Sequence, residues 1–588
     1  MKYLRSDVLS AACRCSHDFA RHLSCYTRLA EPKGKYDAVI VGGGHNGLVS
    51  AAYLQRAGIN VCVLEKRPVV GGAAVTEEIV PGFKFSRASY VLSLLQPHII
   101  ADLELKKYGL KVYIREPTSY TPMRSCKSGG PKSLTLGRNE HLNASQIAQF
   151  SQKDAQAYFH YEAQLGRLAN VINKMLDLPP SDLLTFFEAP SVWRRITSAA
   201  QSRPLREAAQ SLLSLGPELP ALYEFLTAPA ARILSRWFES EPLKATLATD
   251  SVIGFMASPD MAGTGYVLLH HVMGELEGIK GAWGYPEGGM GAVTQAMAAS
   301  ACAHGAHIFT DTEVSQIECN SSGQAIGVVT SDGHLIKADV VLSNATPKVT
   351  FVDLLPSGLL PETFQTAVQG IDYTSPVTKI NVAVDRIPNF MADPCTSEHC
   401  IMPHHQSTIH LNCEETGLIT DAYKEAQRGC ISNRPMIEMV IPSSRDPTIA
   451  PPGCHVCLLF TQYTPYHLAG GKAWDDEAKE QYANKVFDNI EEYAPGFKSS
   501  IIGKEVLTPP DLERIFGLTG GNIFHGAMSP DQLFLCRPTS VGPTAPLTPV
   551  PRLLLCGSGM HPGGGVMGTP GHIAARIALK TLGLARKI

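Results

Sequence analysis

The chain has 588 residues, of which 44% are hydrophobic and 18% charged, a composition typical of a globular protein with more than one structural domain. The formal net charge of −3 indicates no excess of basic surface, so we expect no nucleic-acid partner. No apolar run approaches the roughly 20 residues that a membrane-spanning helix needs, and this leaves peripheral membrane contact open.

Residues 1–35 differ from the rest of the chain in charge. They hold seven basic and three acidic residues, and Arg14, Arg21 and Arg28 lie on one side of a helical projection while apolar residues lie on another. An Arg-rich, acid-poor, amphipathic N-terminus is typical of a mitochondrial leader. It predicts a mitochondrial protein, in the matrix or at the inner membrane, and leaves a mitochondrial protein partner open. The alternative is an N-terminal extension with no targeting role.

The segment after residue 35 has the pattern of a strand–helix–strand unit. Residues 38–41 form a β-branched apolar run, residues 46–56 have helical periodicity, and residues 61–64 form a second apolar run. A buried strand that enters a glycine-rich turn and then a helix is the context in which a dinucleotide-binding fold is expected.

The turn has the spacing G-x-G-x-x-G at Gly42, Gly44 and Gly47. The first glycine permits the tight turn, the second lets the backbone approach a pyrophosphate, and the third lets the helix pack on the strand. Glu65, at the end of the second strand, can accept hydrogen bonds from an adenosine ribose. The cofactor contacts predicted here are Val41, Gly42, Gly43, Gly44, His45, Asn46, Gly47, Glu65 and Lys66.

A glycine pair, Gly71 and Gly72, follows this acidic residue closely. The pair resembles the extended motif of glutathione-reductase-like flavoproteins, which include amine oxidases and phytoene desaturases. That resemblance implies FAD rather than NAD and adds both glycines to the predicted cofactor contacts. The alternative is an ordinary glycine loop.

The middle of the chain, residues 143–278, is predicted to be mostly helical, because apolar residues recur at helical spacing between Pro and Gly breaks. Such helices could cover an apolar tunnel, belong to the hydrophobic core, or form an interface. The sequence pattern does not distinguish these three roles. Residues 375–385 are predicted to form a strand of alternating polarity.

The nucleotide-binding pattern resumes at residues 284–346. A glycine-rich turn leads into a helix, a strand and a hairpin whose turn is Asp332-Gly333. This order resembles the FAD domain of the phytoene desaturase family. The resemblance implies that the backbone at Val314 holds the adenine.

The C-terminal segment repeats a strand, a glycine loop and a helix from residue 553 onward. Its run GSGMHPGGGVMGTPG closely resembles the signature with which the phytoene desaturase family contacts the flavin ribityl chain and pyrophosphate. A helix that begins near Gly571 would direct its positive N-terminus at the cofactor. The contacts implied are Gly557, Gly559, Gly563, Gly564, Gly565 and Val566.

Candidate acid–base and metal-binding groups are few. Glu513 and His525 lie in a run that resembles one in the phytoene desaturase family, and they are weak catalytic candidates. The alternative is that they only cap a helix and pack in a loop. Cys454 and Cys457 have C-x-x-C spacing but lie in a predicted strand, where residues three apart face opposite sides. The histidines and cysteines between residues 399 and 413 match no zinc pattern, so we predict no metal site.

These segments together predict an α/β fold with a glutathione-reductase-like, Rossmann-type FAD-binding domain built from residues 36–110, 284–346 and 546–588. Residues 111–283 and 347–545 would form an α+β substrate or cap domain with a helical insert. The family resemblance implies an FAD-dependent oxidoreductase that takes a hydride from a mostly apolar small molecule, isoprenoid or polyene-like. Two alternatives stay open: a flavin amine oxidase, and an FAD-bound regulatory or interaction protein of mitochondria with little turnover. The oligomeric state is not predicted.

Overall fold

The structure is a computed structural model that describes residues 31–124, 132–397 and 400–584, so nearly all of the predicted leader lies outside the described residues. The strands, in chain order, are β1 Lys35–Val41, β2 Val61–Leu64, β3 Thr76–Val80, β4 Phe83–Ser86, β5 Val112–Ile114, β6 Ser119–Pro122, β7 Ser133–Leu136, β8 Glu275–Leu276, β9 Ile279–Lys280, β10 Gly284–Pro286, β11 His307–Phe309, β12 Val314–Cys319, β13 Ala325–Thr330, β14 Leu335–Ser343, β15 Val377–Val384, β16 Thr408–Leu411, β17 Met436–Val440, β18 His455–Gln462, β19 Ile501–Leu507 and β20 Leu553–Leu555. The α-helices are α1 His45–Arg56, α2 Pro97–Asp102, α3 Glu140–Ala148, α4 Gln152–Leu176, α5 Pro180–Glu188, α6 Val192–Gln201, α7 Arg203–Ser214, α8 Leu219–Thr227, α9 Ala230–Trp237, α10 Glu241–Thr249, α11 Thr264–His271, α12 Gly291–Ala303, α13 Glu362–Gln369, α14 Thr416–Gln427, α15 Asp476–Glu491, α16 Pro509–Phe516 and α17 Thr569–Thr581.

The first large sheet has the order β11-β2-β1-β14-β13-β12, with β20 also paired to β14. The pairs of β1 with β2 and β14, of β2 with β11, and of β14 with β20 are parallel. The hairpin strands β12 and β13 are antiparallel to each other, and β13 is antiparallel to β14. The sheet therefore takes its strands from three separate parts of the chain, near residues 35–64, 307–343 and 553–555.

Both faces of this sheet are covered, which explains the continuous apolar runs of its strands. Ala38 and Ile40 on β1 pack into one apolar cluster with residues of α1, α12 and α17. Val39 and Val41 point to the other face and pack into a second cluster with Phe351. The strand–helix–strand unit is thereby buried at the centre of the molecule.

The second large sheet has the order β19-β15-β18-β17-β16-β6-β7 and is antiparallel except where β16 meets β6. β15 is an inner strand of this sheet. An alternating pattern is typical of a half-exposed strand, and yet all eight residues of β15 are buried. Ile380 and Val382 pack with residues of α15. The opposite face carries Lys379, which lines the internal cavity described below.

The helices between residues 140 and 271 form a layer beside these sheets, as the periodicity predicts. Tyr161 and Leu168 on α4 share one apolar cluster with Phe225 on α8 and Ile233 on α9. Within the part of the chain that the structure describes, no helix has the length and hydrophobicity needed to cross a membrane.

Candidate active site

The turn between β1 and α1 has no room for side chains at its glycines. A Cβ on Gly47 would lie 2.4 Å from the carbonyl oxygen of Gly42, and a Cβ on Gly44 would lie 2.7 Å from Nδ2 of Asn344. Helix α1 begins at His45, directly after the turn, and its first turn holds no acidic residue. Free N–H groups at a helix N-terminus and bare backbone around them make a site for a phosphate chain.

The carboxylate of Glu65 fixes this turn from the end of β2. Its Oε2 accepts a hydrogen bond from the backbone N–H of Gly43 at 2.8 Å, and its Oε1 accepts one from the N–H of Arg67 at 2.9 Å. Each carboxylate oxygen keeps a further lone pair, so Glu65 can also accept from a ribose hydroxyl. Gly71 forms a backbone bridge with Gly44, and the glycine pair therefore makes the facing wall.

The loop between β20 and α17 lies against the first glycine turn. Nδ2 of Asn46 donates to Oγ of Ser558 at 3.1 Å, and Oγ of Ser50 donates to the carbonyl oxygen of Gly571 at 2.8 Å. A Cβ on Gly571 would lie 2.2 Å from the carbonyl oxygen of Asn46. The two glycine loops from opposite ends of the sequence are thus in direct contact.

One cavity of about 1160 Å³ runs along both glycine loops. The predicted contacts that line it are Val41, Gly42, Gly44, His45, Asn46, Glu65, Lys66, Gly71, Gly72, Val314, Gly565 and Val566. The predicted contacts that do not line it are Gly43, Gly47, Gly557, Gly559, Gly563 and Gly564. Glycines of this second group permit close packing, since a Cβ on Gly557 would lie 2.7 Å from the carbonyl oxygen of Asn344, and a Cβ on Gly564 would lie 2.7 Å from the ring of Phe524.

The two weak catalytic candidates have different positions. His525 lines the cavity, and its Nδ1 has no hydrogen-bond partner among the residues that the structure describes. Burial lowers the pKa of its imidazole to about 3, so the ring is neutral and a poor base at physiological pH. Glu513 does not line the cavity, and its Oε2 accepts a hydrogen bond from the hydroxyl of Tyr466 at 2.5 Å.

The inner end of the cavity holds ionisable residues that the sequence analysis did not assign to a cofactor or substrate site. These are Arg115, Asp250, Lys379, His410 and Glu438. Burial raises the pKa of both Asp250 and Glu438 to about 7 and lowers the pKa of Lys379 to about 7. No motif marks them, because they come from five separate stretches of the chain.

The described residues contain no pair of cysteines and no group of metal-ligating side chains arranged as a reactive site. Cys62 on β2 is buried and free, and burial raises the pKa of its thiol. Cys457 lies on β18, but Cys454 lies just before β18 rather than within the strand as predicted, and the two pack against different apolar clusters. Among residues 31–124, 132–397 and 400–584, no group of three or more His, Cys, Asp or Glu side chains is placed to hold a metal ion; His399 lies outside these ranges.

The residues around the glycine loops fit FAD. The bare backbone leaves space for the pyrophosphate, and Glu65 supplies an acceptor for the ribose. Nε2 of His45 and Oδ1 of Asn46 are buried and have no hydrogen-bond partner in the part of the chain that the structure describes. The fold and the site together define a Rossmann-type flavoprotein with FAD as its cofactor.

Comparison with known proteins identifies the family. The family model for flavin containing amine oxidoreductases matches residues 47–569, and the chain belongs to that family. The chain is 57% identical to pyridine nucleotide-disulfide oxidoreductase domain-containing protein 2 of Rattus norvegicus, over 94% of each chain. It is 24% identical to a lycopene-forming phytoene desaturase of Pseudescherichia vulneris, over 92% of this chain and 98% of that one.

A solved structure agrees on the fold. The crystal structure of an oxidoreductase from Methanosarcina mazei matches with a TM-score of 0.56 at 18% identity, over 93% of this chain and 100% of the other. The predicted fold class and the predicted FAD cofactor are confirmed by these findings, and the chain is a flavin oxidoreductase.

Proposed function

We propose that the protein oxidises a small molecule with a mostly apolar body. The observation that carries this proposal is the single cavity that continues from the glycine loops into an inner chamber. Much of that chamber is apolar and aromatic, with Leu94, Leu247, Ile253, Phe460, Phe516 and Phe524 in its wall. An apolar wall binds an apolar body through the hydrophobic effect and excludes water from the reacting carbon.

The residues of the chain have binding and positioning roles in this proposal. The glycine loops and Glu65 hold the cofactor, which when bound supplies the acceptor for a hydride from the substrate. The apolar wall orients the substrate, and His525 stays neutral beside it. The relationship to a phytoene desaturase supports an isoprenoid or polyene-like substrate.

An anaerobic reduction assay tests the proposal. The holoprotein is mixed with isoprenoids, retinoids, acyl compounds and amines, and bleaching of the flavin absorbance is recorded. We expect bleaching by an isoprenoid or retinoid. A flavin that no compound reduces would contradict the proposal and favour the regulatory alternative with little turnover.

A variant at the cavity lining extends the assay. Gly166 is an exposed helical residue that lines the cavity, and an added Cβ there would meet nothing within 4 Å among the described residues, so Gly166→Leu adds an apolar side chain at the cavity without a clash. We expect slower bleaching. Gly417 also lies in a helix with nothing within 4 Å but away from the cavity, so Gly417→Leu is the matched control and should bleach at the wild-type rate.

A flavin amine oxidase is the second candidate, and one observation favours it. The carboxyl groups of Asp250 and Glu438 lie in the same cavity as the rings of Tyr90 and Trp283. Carboxylates and aromatic faces both attract a protonated amine. Bleaching by amines alone would select this candidate.

We also propose a mitochondrial location, with inner-membrane contact and a mitochondrial partner as open associations. The support is the Arg-rich, acid-poor pattern of residues 1–35. A fusion of these residues to a fluorescent reporter is expected to enter mitochondria. A fusion that remains in the cytosol would contradict the proposal.

A further inference from the structure

The inner end of the cavity carries a group of side chains that we call the polar cluster: Arg115, Asp250, Thr408, His410 and Glu438. All five line the cavity. Arg115 directly follows β5, Asp250 directly follows α10, Thr408 and His410 lie on β16, and Glu438 lies on β17 opposite His410. The fold therefore gathers them from separate elements onto one wall.

The donor side of the polar cluster is incomplete. Arg115 is only 4% exposed, and one of its terminal nitrogens donates to Oγ1 of Thr408. Its guanidinium lies 5.8 Å from the ring centroid of Trp283, which holds the side chain in place. Its Nε–H is buried and has no hydrogen-bond partner among the described residues.

The acceptor side of the polar cluster is also incomplete. Glu438 is 3% exposed, and its Oε2 accepts a hydrogen bond from the hydroxyl of Tyr90 at 2.9 Å. Its Oε1 has no hydrogen-bond partner among the described residues, and neither has Nδ1 of His410, which lies 3.8 Å from it. A buried polar atom that stays unpaired destabilises the folded protein, so a bound group that pairs with these atoms would stabilise the wall.

The charges of the polar cluster nearly cancel at neutral pH. Arg115 and Asp250 interact electrostatically, and both act on Glu438. Burial raises the pKa of each carboxyl group to about 7, so together they carry about one negative charge against the positive charge of Arg115. Other titratable groups among the described residues that line the cavity or act on these side chains are Tyr90, Tyr158, Tyr161, Glu162, His271, Tyr285, Lys379 and Cys413.

Charge and hydrogen bonding select the same kind of ligand. An ammonium group would donate to Glu438 but would bring a second positive charge to Arg115 and leave its Nε–H unpaired. A carboxylate would accept from Arg115 but could not donate to Glu438. A neutral group that both donates and accepts satisfies both atoms and leaves the charge balance unchanged.

We propose that the polar cluster binds the neutral, hydrogen-bonding head group of the substrate, an alcohol or a primary amide, whose apolar body fills the rest of the cavity. This inference rests on the proposed oxidation of a mostly apolar substrate. It adds that the substrate is amphiphilic and that Arg115 and Glu438 fix which end enters first.

Binding of probes with a saturated alkyl chain to the holoprotein, measured before any bleaching of the flavin, tests the inference separately from turnover. The probes are 1-decanol, decanamide, decyl methyl ether, decylamine and decanoate, and affinity is read from the perturbed absorbance of the bound flavin at pH 6, 7 and 8. We expect 1-decanol and decanamide to bind about tenfold more tightly than the ether at pH 8, where Glu438 is mostly ionised and the ether cannot donate to it, and we expect this preference to shrink toward pH 6 as Glu438 takes up a proton.

A matched pair of variants assigns the effect to the polar cluster. Glu438→Gln is nearly isosteric and should weaken 1-decanol binding about tenfold without changing the affinity for the ether. Glu414 is another buried glutamate whose Oε1 accepts from a tyrosine hydroxyl and whose Oε2 has no partner in the described part of the chain, but it does not line the cavity. Glu414→Gln should leave all probe affinities unchanged.

Four results would overturn the inference: no binding of any probe, equal affinity for the alcohol and the ether, equal losses in both variants, or tightest binding of a charged probe. Decylamine that binds more tightly as pH rises through 7 would indicate a cationic substrate, and decanoate that binds more tightly as pH falls would indicate an anionic one. Failure of the proposed oxidation appears instead as a flavin that no substrate bleaches, with the probe affinities unchanged.

Discussion

Single glycines decide whether the cofactor site can form. A Cβ on Gly47 would meet the carbonyl oxygen of Gly42 at 2.4 Å, and backbone cannot rotate away as a side chain can. We predict that Gly47→Ala lowers stability by about 1–3 kcal/mol, the usual cost of overpacking, and weakens FAD binding at least tenfold. Denaturant unfolding and FAD titration of the apoprotein measure the two effects.

Gly34→Ala is the control for this prediction, because an added Cβ at Gly34 meets no described residue within 4 Å. It should behave as wild type. An unchanged FAD affinity in Gly47→Ala would show that the turn adapts to a side chain.

Lys379 predicts a stability that depends on pH. It is 1% exposed, and burial lowers its pKa from 10.5 to about 7. Between pH 7 and 10.5 the unfolded chain binds a proton that the folded chain has released, so the contribution of Lys379 to folding becomes more favourable as pH rises. We therefore expect Lys379→Met to stabilise the protein by up to a few kcal/mol at or below pH 7, with a gain that shrinks toward pH 10.

Melting temperatures of wild type and variant at pH 6.5, 8 and 9.5 measure this difference. Lys153 is largely exposed, and Lys153→Met is the control. If the change in melting temperature caused by Lys379→Met were the same at all three pH values, the lowered pKa of Lys379 would be contradicted.

Arg537 forms hydrogen bonds with both the segment 524–532 and the C-terminal glycine loop. Its guanidinium is buried, and it donates to the carbonyl oxygens of Phe524, Gly526, Ala527 and Gln532 on one segment and to that of Ser558 in the C-terminal glycine loop. Burial lowers the pKa of Arg537 to about 10, so it still carries its charge at neutral pH.

We predict that Arg537→Met weakens FAD binding at least tenfold, because it leaves buried carbonyl oxygens unpaired and releases the loop that carries Gly565. Arg537→Lys keeps the charge but has fewer hydrogen-bond donors, so its affinity for FAD should lie between those of the wild type and Arg537→Met. Arg386, which also donates to a backbone carbonyl but lies on the surface, provides the control Arg386→Met. FAD titration of the apoproteins measures all three, and equal affinities would contradict this role.

The elements show where sequence patterns are informative. The structure of residues 35–64 was predictable because the strand, the glycine turn and the helix follow one another directly in the sequence. Each glycine is required by contacts with nearby residues. The burial of both faces of β15 was not predictable, because it depends on α15 and on a cavity wall made by distant segments. The same holds for Arg115 and Glu438, which are far apart in sequence and meet only in the folded chain.

At the scale of the whole molecule, FAD should act on both ends of the chain at once. The first glycine turn and the C-terminal glycine loop line one cavity and are joined by the hydrogen bond from Asn46 to Ser558. We predict that FAD slows amide hydrogen exchange at residues 42–47 and 557–566 together, with no change in α15. Protection of the first segment alone would mean that the C-terminal loop does not belong to the cofactor site.

The placement of β20 and α17 has a consequence for biosynthesis. β20 pairs with β14, and α17 packs on α1, yet both come far after β14 in the sequence. During synthesis the nucleotide-binding sheet therefore stays incomplete, with apolar surface uncovered, until residues 553–581 have left the ribosome. We expect a nascent chain that stops before residue 553 to capture no flavin and to depend on chaperones.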